Sequence, residues 1–324
     1  MNGPSTALRT GVLLLNLGSP ASPTAPAIRR WLRQFLHDRH VVDTSRWIWC
    51  PVLYGFILPF RPKKLMPLYS RIWTAEGSPL HVISRQQREA LASRLGVPVA
   101  EGMRYGEPSI ETALAKLRGA GVTHLVALPL YPQYSGTTTE SSFAELDAAL
   151  ARMGWAPRVS RIQDYHADPA YIAALAASVR EHWAKHGRAD RLLISFHSIP
   201  QRYVERGDPY QRQCEATAAA LVRELGLAHG QWLLAYQSRI GRLPWLQPYT
   251  DVVIDALPGQ GVRTLDVVAP GFSADCLETL DEIVLRYGER FVAAGGKSLR
   301  YVPALNAQSA HIEALAGLVR AQLG

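Results

Sequence analysis

The 324-residue sequence predicts an α/β protein of two similar halves, each a parallel sheet flanked by helices. Three observations predict it. Short apolar runs without alternation recur between longer stretches of helical spacing, the pattern of strands buried on both faces. Two of these runs are alike: G-V-T-H-L-V-A-L-P-L from Gly121 and G-V-R-T-L-D-V-V-A-P from Gly261. Each follows a strand, a break rich in Gly and Pro, and a helical stretch, the mark of an internal repeat. Finally, the offset from Ser19 to Ser198 exceeds that from Val122 to Val262 by about 39 residues, which places an insertion near 40–80 of the first half.

The strands expected are 11–17, 97–105, 122–131, 190–197, 231–237 and 263–270, each a short run rich in Val, Ile and Leu. The helices expected are 24–37, 80–95, 108–119, 139–153, 168–186, 208–226, 273–295 and 307–322. Pro-Ser at 108–109 and Asp-Pro at 168–169 and 208–209 are helix starts, with a capping oxygen or a proline fixed at helical φ. The expected division is an N-terminal domain at 1–160, a second domain at 161–303, and a last helix in 304–324 that packs back on the first.

With 48% apolar residues the chain can bury a large core. Its formal charge of +8 suits an anionic partner, but Lys and Arg are scattered along the sequence and no nucleic-acid motif is present. Cys50, Cys214 and Cys276 are far apart and form no C-x-x-C pair, so neither a disulfide framework nor a zinc site is expected. The N-terminal residues hold no apolar leader, which predicts a cytoplasmic protein. A monomer or weak homodimer is expected. Within the insertion, W-I-W-C-P-V-L-Y-G-F-I-L-P-F (47–60) has no charge and is flanked by Arg46, Arg61, Lys63 and Lys64. It is too short for a bilayer span, which needs about 20 residues. Either it dips into a membrane interface through 47–64, or it is a buried helix packed across the domain.

The chemistry centres on His197, which ends the strand R-L-L-I-S-F-H. Ligands of open α/β sheets bind outside the carboxyl ends of the strands, where an imidazole can move protons or bind metal. A second strand leads into P-G-F-S-A-D-C-L-E-T-L-D-E-I, where Glu278 and Glu282 are one helical turn apart and Asp275 precedes them. These acids either complement the helix dipole or form a path for a cation or protons. The hydroxyl-rich turn from Ser135 to Ser142 can hold an anion or cap its own helix. Trp245, in a loop after a strand, can wall a flat ligand or anchor the loop. No Walker or G-x-G-x-x-G pattern follows any strand, so no nucleotide is indicated.

Several motifs, read in order, resemble one family. They are L-L-N-L-G-S-P (14–20), F-L-H-D-R-H-V-V-D (35–43), G-M-R-Y-G-E-P-S (102–109), L-P-L-Y-P-Q-Y-S (128–135), S-F-H-S-I-P-Q-R-Y (195–203), Q-S-R-I-G-R-L-P-W-L-Q-P-Y-T-D (237–251) and P-G-F-S-A-D-C-L-E-T-L-D-E-I (270–283). Over nearly its whole length the chain resembles the ferrochelatases, and the Gram-negative bacterial form in particular. The resemblance implies two Rossmann-like domains in the chelatase fold, with a cleft between them. It implies insertion of Fe2+ into protoporphyrin IX, the terminal step of protohaem synthesis. The family's site His and Glu fall on His197 and Glu278, as catalytic and metal-binding residues. Its porphyrin positions fall on Leu17, Tyr105, Tyr131, Trp245 and Phe272. Ser135 and its turn are expected to meet the propionates, Asp275 and Glu282 to carry protons or metal, and the 47–73 lip to cover the cleft and in some members face the membrane. Cys276 stands where animal members have a second His, and Gly136 replaces one of their cluster-ligating cysteines, so Fe2+ is substrate and no iron–sulfur cluster is expected. Leu17, where coproporphyrin-using members carry Tyr, favours protoporphyrin. The rivals are a coproporphyrin chelatase, a cobalt chelatase and a porphyrin or haem carrier without catalysis.

Overall fold

A computed structural model describes residues 9–240 and 243–323. Residues 1–8, the Gly-Arg pair at 241–242 of the 237–251 motif and Gly324 lie outside the described residues. Eight strands form two parallel four-stranded sheets. The first contains β1 (Thr10–Asn16), β2 (Val99–Met103), β3 (His124–Pro129) and β4 (Arg158–Arg161), in the order β2-β1-β3-β4. The second contains β5 (Arg191–His197), β6 (Trp232–Gln237), β7 (Thr264–Val268) and β8 (Ser298–Val302), in the order β6-β5-β7-β8. The two orders are the same, as the internal repeat requires. Only β4 and β8 escape the sequence reading. Both are sheet edges, half-exposed and studded with arginine, as edge strands that resist further pairing often are.

The helices in chain order are α1 (Ala25–His37), α2 (Arg46–Val52), α3 (Leu58–Ile72), α4 (Pro79–Leu95), α5 (Ile110–Gly119), α6 (Ser141–Met153), α7 (Pro169–His186), α8 (Gln201–Glu205), α9 (Tyr210–Leu225), α10 (Thr250–Ala256), α11 (Gly288–Ala293) and α12 (Ser309–Arg320). The expected starts hold locally: Ser109 accepts from Thr112 N–H and Asp168 from Tyr171 N–H, each capping its helix.

The strands lack polar alternation because both faces are covered. Val12 and Leu14 point inward with Val126, Leu128, Leu192 and Ile194, into a core shared by both sheets and filled by α7, α9 and α12. Leu13 and Leu15 point outward under α5 and α6, and Leu193 and Val267 do the same in the second half. α12 packs against both α4 and α7, so the last helix bridges the halves.

The insertion is α2 and α3 joined by a π-turn at Leu53–Ile57. Pro51 and Pro62 remove backbone donors within this stretch, a common cause of irregular helix. Its inner side, Leu53, Leu58 and Tyr69, packs on Ile28, Trp31 and Leu32 of α1. Its outer side leaves Trp47 92%, Phe56 69% and Phe60 61% exposed. The segment is thus packed on the domain along one side and apolar but exposed along the other.

Candidate active site

His197 is the last residue of β5, which delivers it to the carboxyl edge of the second sheet. Its Nδ1 lies 2.6 Å from the carbonyl oxygen of Ser198. A carbonyl can only accept, so Nδ1 carries a proton, and in the neutral ring the lone pair falls on Nε2. Among the described residues, Nε2 has no hydrogen-bond partner. Tyr210 donates to the His197 carbonyl at 2.9 Å, fixing the backbone there. The Phe272 ring is 6.4 Å from the imidazole, centroid to centroid. Trp245 is partly buried, and its backbone bridges to Pro200 in the loop that follows His197. It therefore anchors the loop.

Glu278 opens a π-helical segment, Glu278–Tyr287, a form that often marks functional positions. It is partly exposed, and its carboxylate has no salt bridge among the described residues. Burial pushes the Tyr69 and Cys276 side chains well above their ordinary pKa values, and the Glu278 charge beside them pushes further. The lip helix α3 thus faces Glu278. Arg71 of α3 also reaches the fully buried Asp281 at 3.5 Å, and Arg286 holds the same carboxylate at 2.7 Å. Gln237 pairs in register with His197, and its Nε2 donates to the Glu278 carbonyl at 3.1 Å. One amide therefore ties the His197 strand to the Glu278 helix.

The expected carboxylates differ in their partners. Asp275 accepts from Asn306 Nδ2 (2.8 Å), Tyr301 OH (2.9 Å), Thr279 Oγ1 (3.0 Å) and Ala304 N–H (3.3 Å). Glu282 accepts from Ser238 Oγ (2.6 Å), Tyr287 OH (2.7 Å) and Ser238 N–H (3.0 Å). Both are held by partners of the fold; Asp275 lies ahead of the helix, while Glu278 and Glu282, four apart within it, keep nearly the same face. Glu278 has neither a salt bridge nor an N–H or O–H donor among the described residues, and only the buried Cys276 thiol lies against its carboxylate.

The hydroxyl turn is a second correction. Its opening donors are met by the chain's own Asp208, which accepts from Gly136 N–H at 2.8 Å and from Ser135 Oγ at 2.9 Å. Ser135 is fully buried. An anion does sit at this helix start, but it is a side chain supplied by the second half.

Tyr105 is a third. It is 1% exposed, stacked edge-on to Phe35, and its hydroxyl donates to Asp38 at 2.7 Å. It lies behind the wall rather than on it. Leu17 is partly buried beside it. Gly18 lets the backbone fold back there: its φ is +92°, and a Cβ would stand 1.9 Å from the Tyr105 carbonyl oxygen. Tyr131 is partly buried, with its hydroxyl unpartnered among the described residues.

The sequence reading passed over Arg61 as a mere flank of the lip. It is half-buried on α3 without an ion pair among the described residues, and burial lowers its pKa. A buried guanidinium needs a partner, so its signal was the basic residue inside an apolar run. The short helix α8 was also missed. Its Tyr203 donates to the Val41 carbonyl at 3.0 Å, and Arg206 just beyond it pairs with Asp43 at 2.6 Å, clasping the two halves beside the His197 loop.

The comparisons agree with this architecture. Sirohydrochlorin chelatase SirB from Bacillus subtilis subspecies spizizenii, solved with cobalt, superposes with a TM-score of 0.57 at 12% identity, covering 97% of this chain and 94% of that one. CbiX, described as the terminal enzyme of sirohaem biosynthesis in denitrifying bacteria, gives 0.52 at 12% identity over 98% and 100%. The fold is therefore that of the chelatases, two parallel sheets of one order. The ferrochelatase family model matches residues 9–323. The ferrochelatase of Aeromonas hydrophila is 50% identical over 97% of this chain and 99% of its own length. Ferrochelatase 1 of Shewanella oneidensis is 49% identical over 99% and 98%. The chain belongs to the ferrochelatase family, metal-insertion enzymes of haem synthesis, as the resemblance implied.

Proposed function

We propose that iron enters protoporphyrin IX at the carboxyl edges of β1 and β5, between Trp245, Phe272, Tyr131 and the lip, with His197 as the proton acceptor. The observation that carries this reading is the His197 tautomer. Nδ1–H is committed to the Ser198 carbonyl, which leaves the Nε2 lone pair without a protein partner among the described residues. A free-base porphyrin loses two pyrrole protons as Fe2+ enters, so the ring must be bent and a base must be at hand. Nε2 takes one proton, and Glu278, the least engaged of the three acids, takes the second or meets the metal. Binding energy from the rest of the macrocycle bends the ring against the aromatic walls.

Arg61 supports a dicarboxylate ring, since a propionate would supply the missing counter-charge. Fe2+ is substrate here, and no iron–sulfur cluster is invoked: Cys214 and Cys276 are buried in separate cores and Cys50 lies on α2. We further infer that the exposed side of the lip rests on a membrane surface. Among the described residues no helix is long and apolar enough to cross one. An anaerobic assay with Fe2+ and either protoporphyrin IX or coproporphyrin III tests the substrate. Faster turnover on protoporphyrin supports the reading, and preference for coproporphyrin overturns it.

A further inference from the structure

We propose that the groove between α1 and the lip binds the headgroup phosphate of an anionic phospholipid, so that the protein docks selectively on anionic bilayers. The proposal rests on the lip–membrane contact inferred above and adds its lipid class and its residues. The groove measures about 400 Å³ and is lined by Pro26, Arg29, Arg30, Arg33, Tyr54 and Leu58.

The arginines stand there for a reason local to α1. The helix buries Ala27, Ile28, Trp31 and Leu32, so Arg29, Arg30 and Arg33 take the opposite, exposed side. Arg29 and Arg33 are one turn apart and Arg30 lies three residues before Arg33, so the guanidinium groups share a stripe. Among the described residues none of the three has a salt-bridge partner, so their charge is not neutralised within the chain. The imbalance is regional: residues 21–75 contain nine Arg and Lys against two Asp.

The shape of the surroundings selects the occupant. Tyr54 forms the far wall, held by a 2.8 Å hydrogen bond to His37, and Leu58 is a buried apolar floor. The same lip exposes Trp47, Ile48, Phe56 and Phe60. A soluble anion would use the guanidinium groups and leave those apolar side chains in water. A phospholipid uses both, with phosphate oxygens on the arginine forks and acyl chains against the aromatic side chains.

The experiment is flotation of the full chain with vesicles of phosphatidylcholine alone, or mixed equally with phosphatidylglycerol. Three proteins are compared: wild type, the variant Arg29→Gln/Arg30→Gln/Arg33→Gln, and the variant Lys116→Gln/Arg223→Gln/Lys297→Gln, which loses the same charge elsewhere on the surface. Each basic residue near an anionic surface contributes about fivefold to partitioning, so the groove variant should bind mixed vesicles roughly a hundredfold more weakly than wild type. The control variant should stay close to wild type, and detergent-assayed turnover should be unchanged in both. Equal losses in the two variants would reduce the effect to net charge and overturn the groove. Undiminished vesicle binding with a raised KM for porphyrin would make it a propionate site instead. Wild type that floats with neither vesicle would overturn the lip contact itself, a failure distinct from that of the groove.

Discussion

The side-chain amide of Gln237 joins the two candidate catalytic elements: it sits beside His197 in the β5–β6 register and donates to the Glu278 carbonyl at 3.1 Å. Its own oxygen accepts from Ser195 Oγ at 2.7 Å, so the amide cannot turn without loss. Gln237 is thus a positioning residue. Gln237→Leu should cost about 1–2 kcal/mol of stability and lower kcat about tenfold or more, because Glu278 loses its register with the imidazole. KM for porphyrin should change little. A melt combined with steady-state kinetics checks this, and a shift in KM alone would argue against it.

Asp208 holds the start of the hydroxyl turn through Gly136 N–H and Ser135 Oγ, and also accepts from Tyr210 N–H at 3.0 Å. Asp208→Ala leaves buried donors unmet and should cost about 2–3 kcal/mol. At roughly 2–4 °C per kcal/mol for a chain of this kind, Tm should fall by several degrees. Porphyrin KM should stay within about twofold, since by this account the turn does not meet the substrate. A large rise in KM with Tm intact would restore the propionate role first read from the sequence.

Arg61→Leu separates charge recognition from ring packing. With protoporphyrin IX the variant should show a KM raised about ten- to a hundredfold, the cost of losing a charge-assisted pair. With a porphyrin dimethyl ester, wild type and variant should behave alike. Equal loss on both rings would mean that Arg61 supports the lip and not a carboxylate.

His311, on the bridging helix α12, is fully buried, and burial lowers its pKa to about 4 despite the Nδ1 hydrogen bond to the Asn306 carbonyl. In the unfolded chain the ring titrates near pH 6.5. Between those values the unfolded state binds the proton and the folded state does not. Stability is therefore full above about pH 6.5 and falls as the pH drops toward 4, by up to about 3 kcal/mol from this group. Denaturant melts across that range should show the slope. His311→Leu should flatten it, and an unchanged slope would place the acid sensitivity elsewhere.

Much of this molecule could be read from its sequence because the strongest signals are apolar. The central strands are unbroken hydrophobic runs buried on both faces, and each half carries the same series. β4 and β8 were not legible, since an edge strand such as R-V-S-R lacks such a run. Residue types at strand ends pointed to His197 and Glu278, but not to which acids were free. Asp275 is saturated by Tyr301 and Asn306, and Glu282 by Ser238, partners distant in sequence. The identity of the anion at Ser135 was hidden for the same reason, because Asp208 arrives from the other half of the chain. The π-helical turn at Glu278 leaves no pattern in composition, so the sequence showed the spacing of the acids but not the form of the helix that carries them.

The central claim is that His197 Nε2 removes a pyrrole proton while Glu278 completes the transfer. Anaerobic insertion of Fe2+ and Zn2+ into protoporphyrin IX, followed by absorbance for wild type, His197→Ala and Glu278→Gln, tests it most directly. The account predicts that His197→Ala binds the ring but inserts neither metal, and that Glu278→Gln loses at least about a hundredfold in kcat. Turnover near wild type in His197→Ala, with folding and porphyrin binding intact, would contradict it.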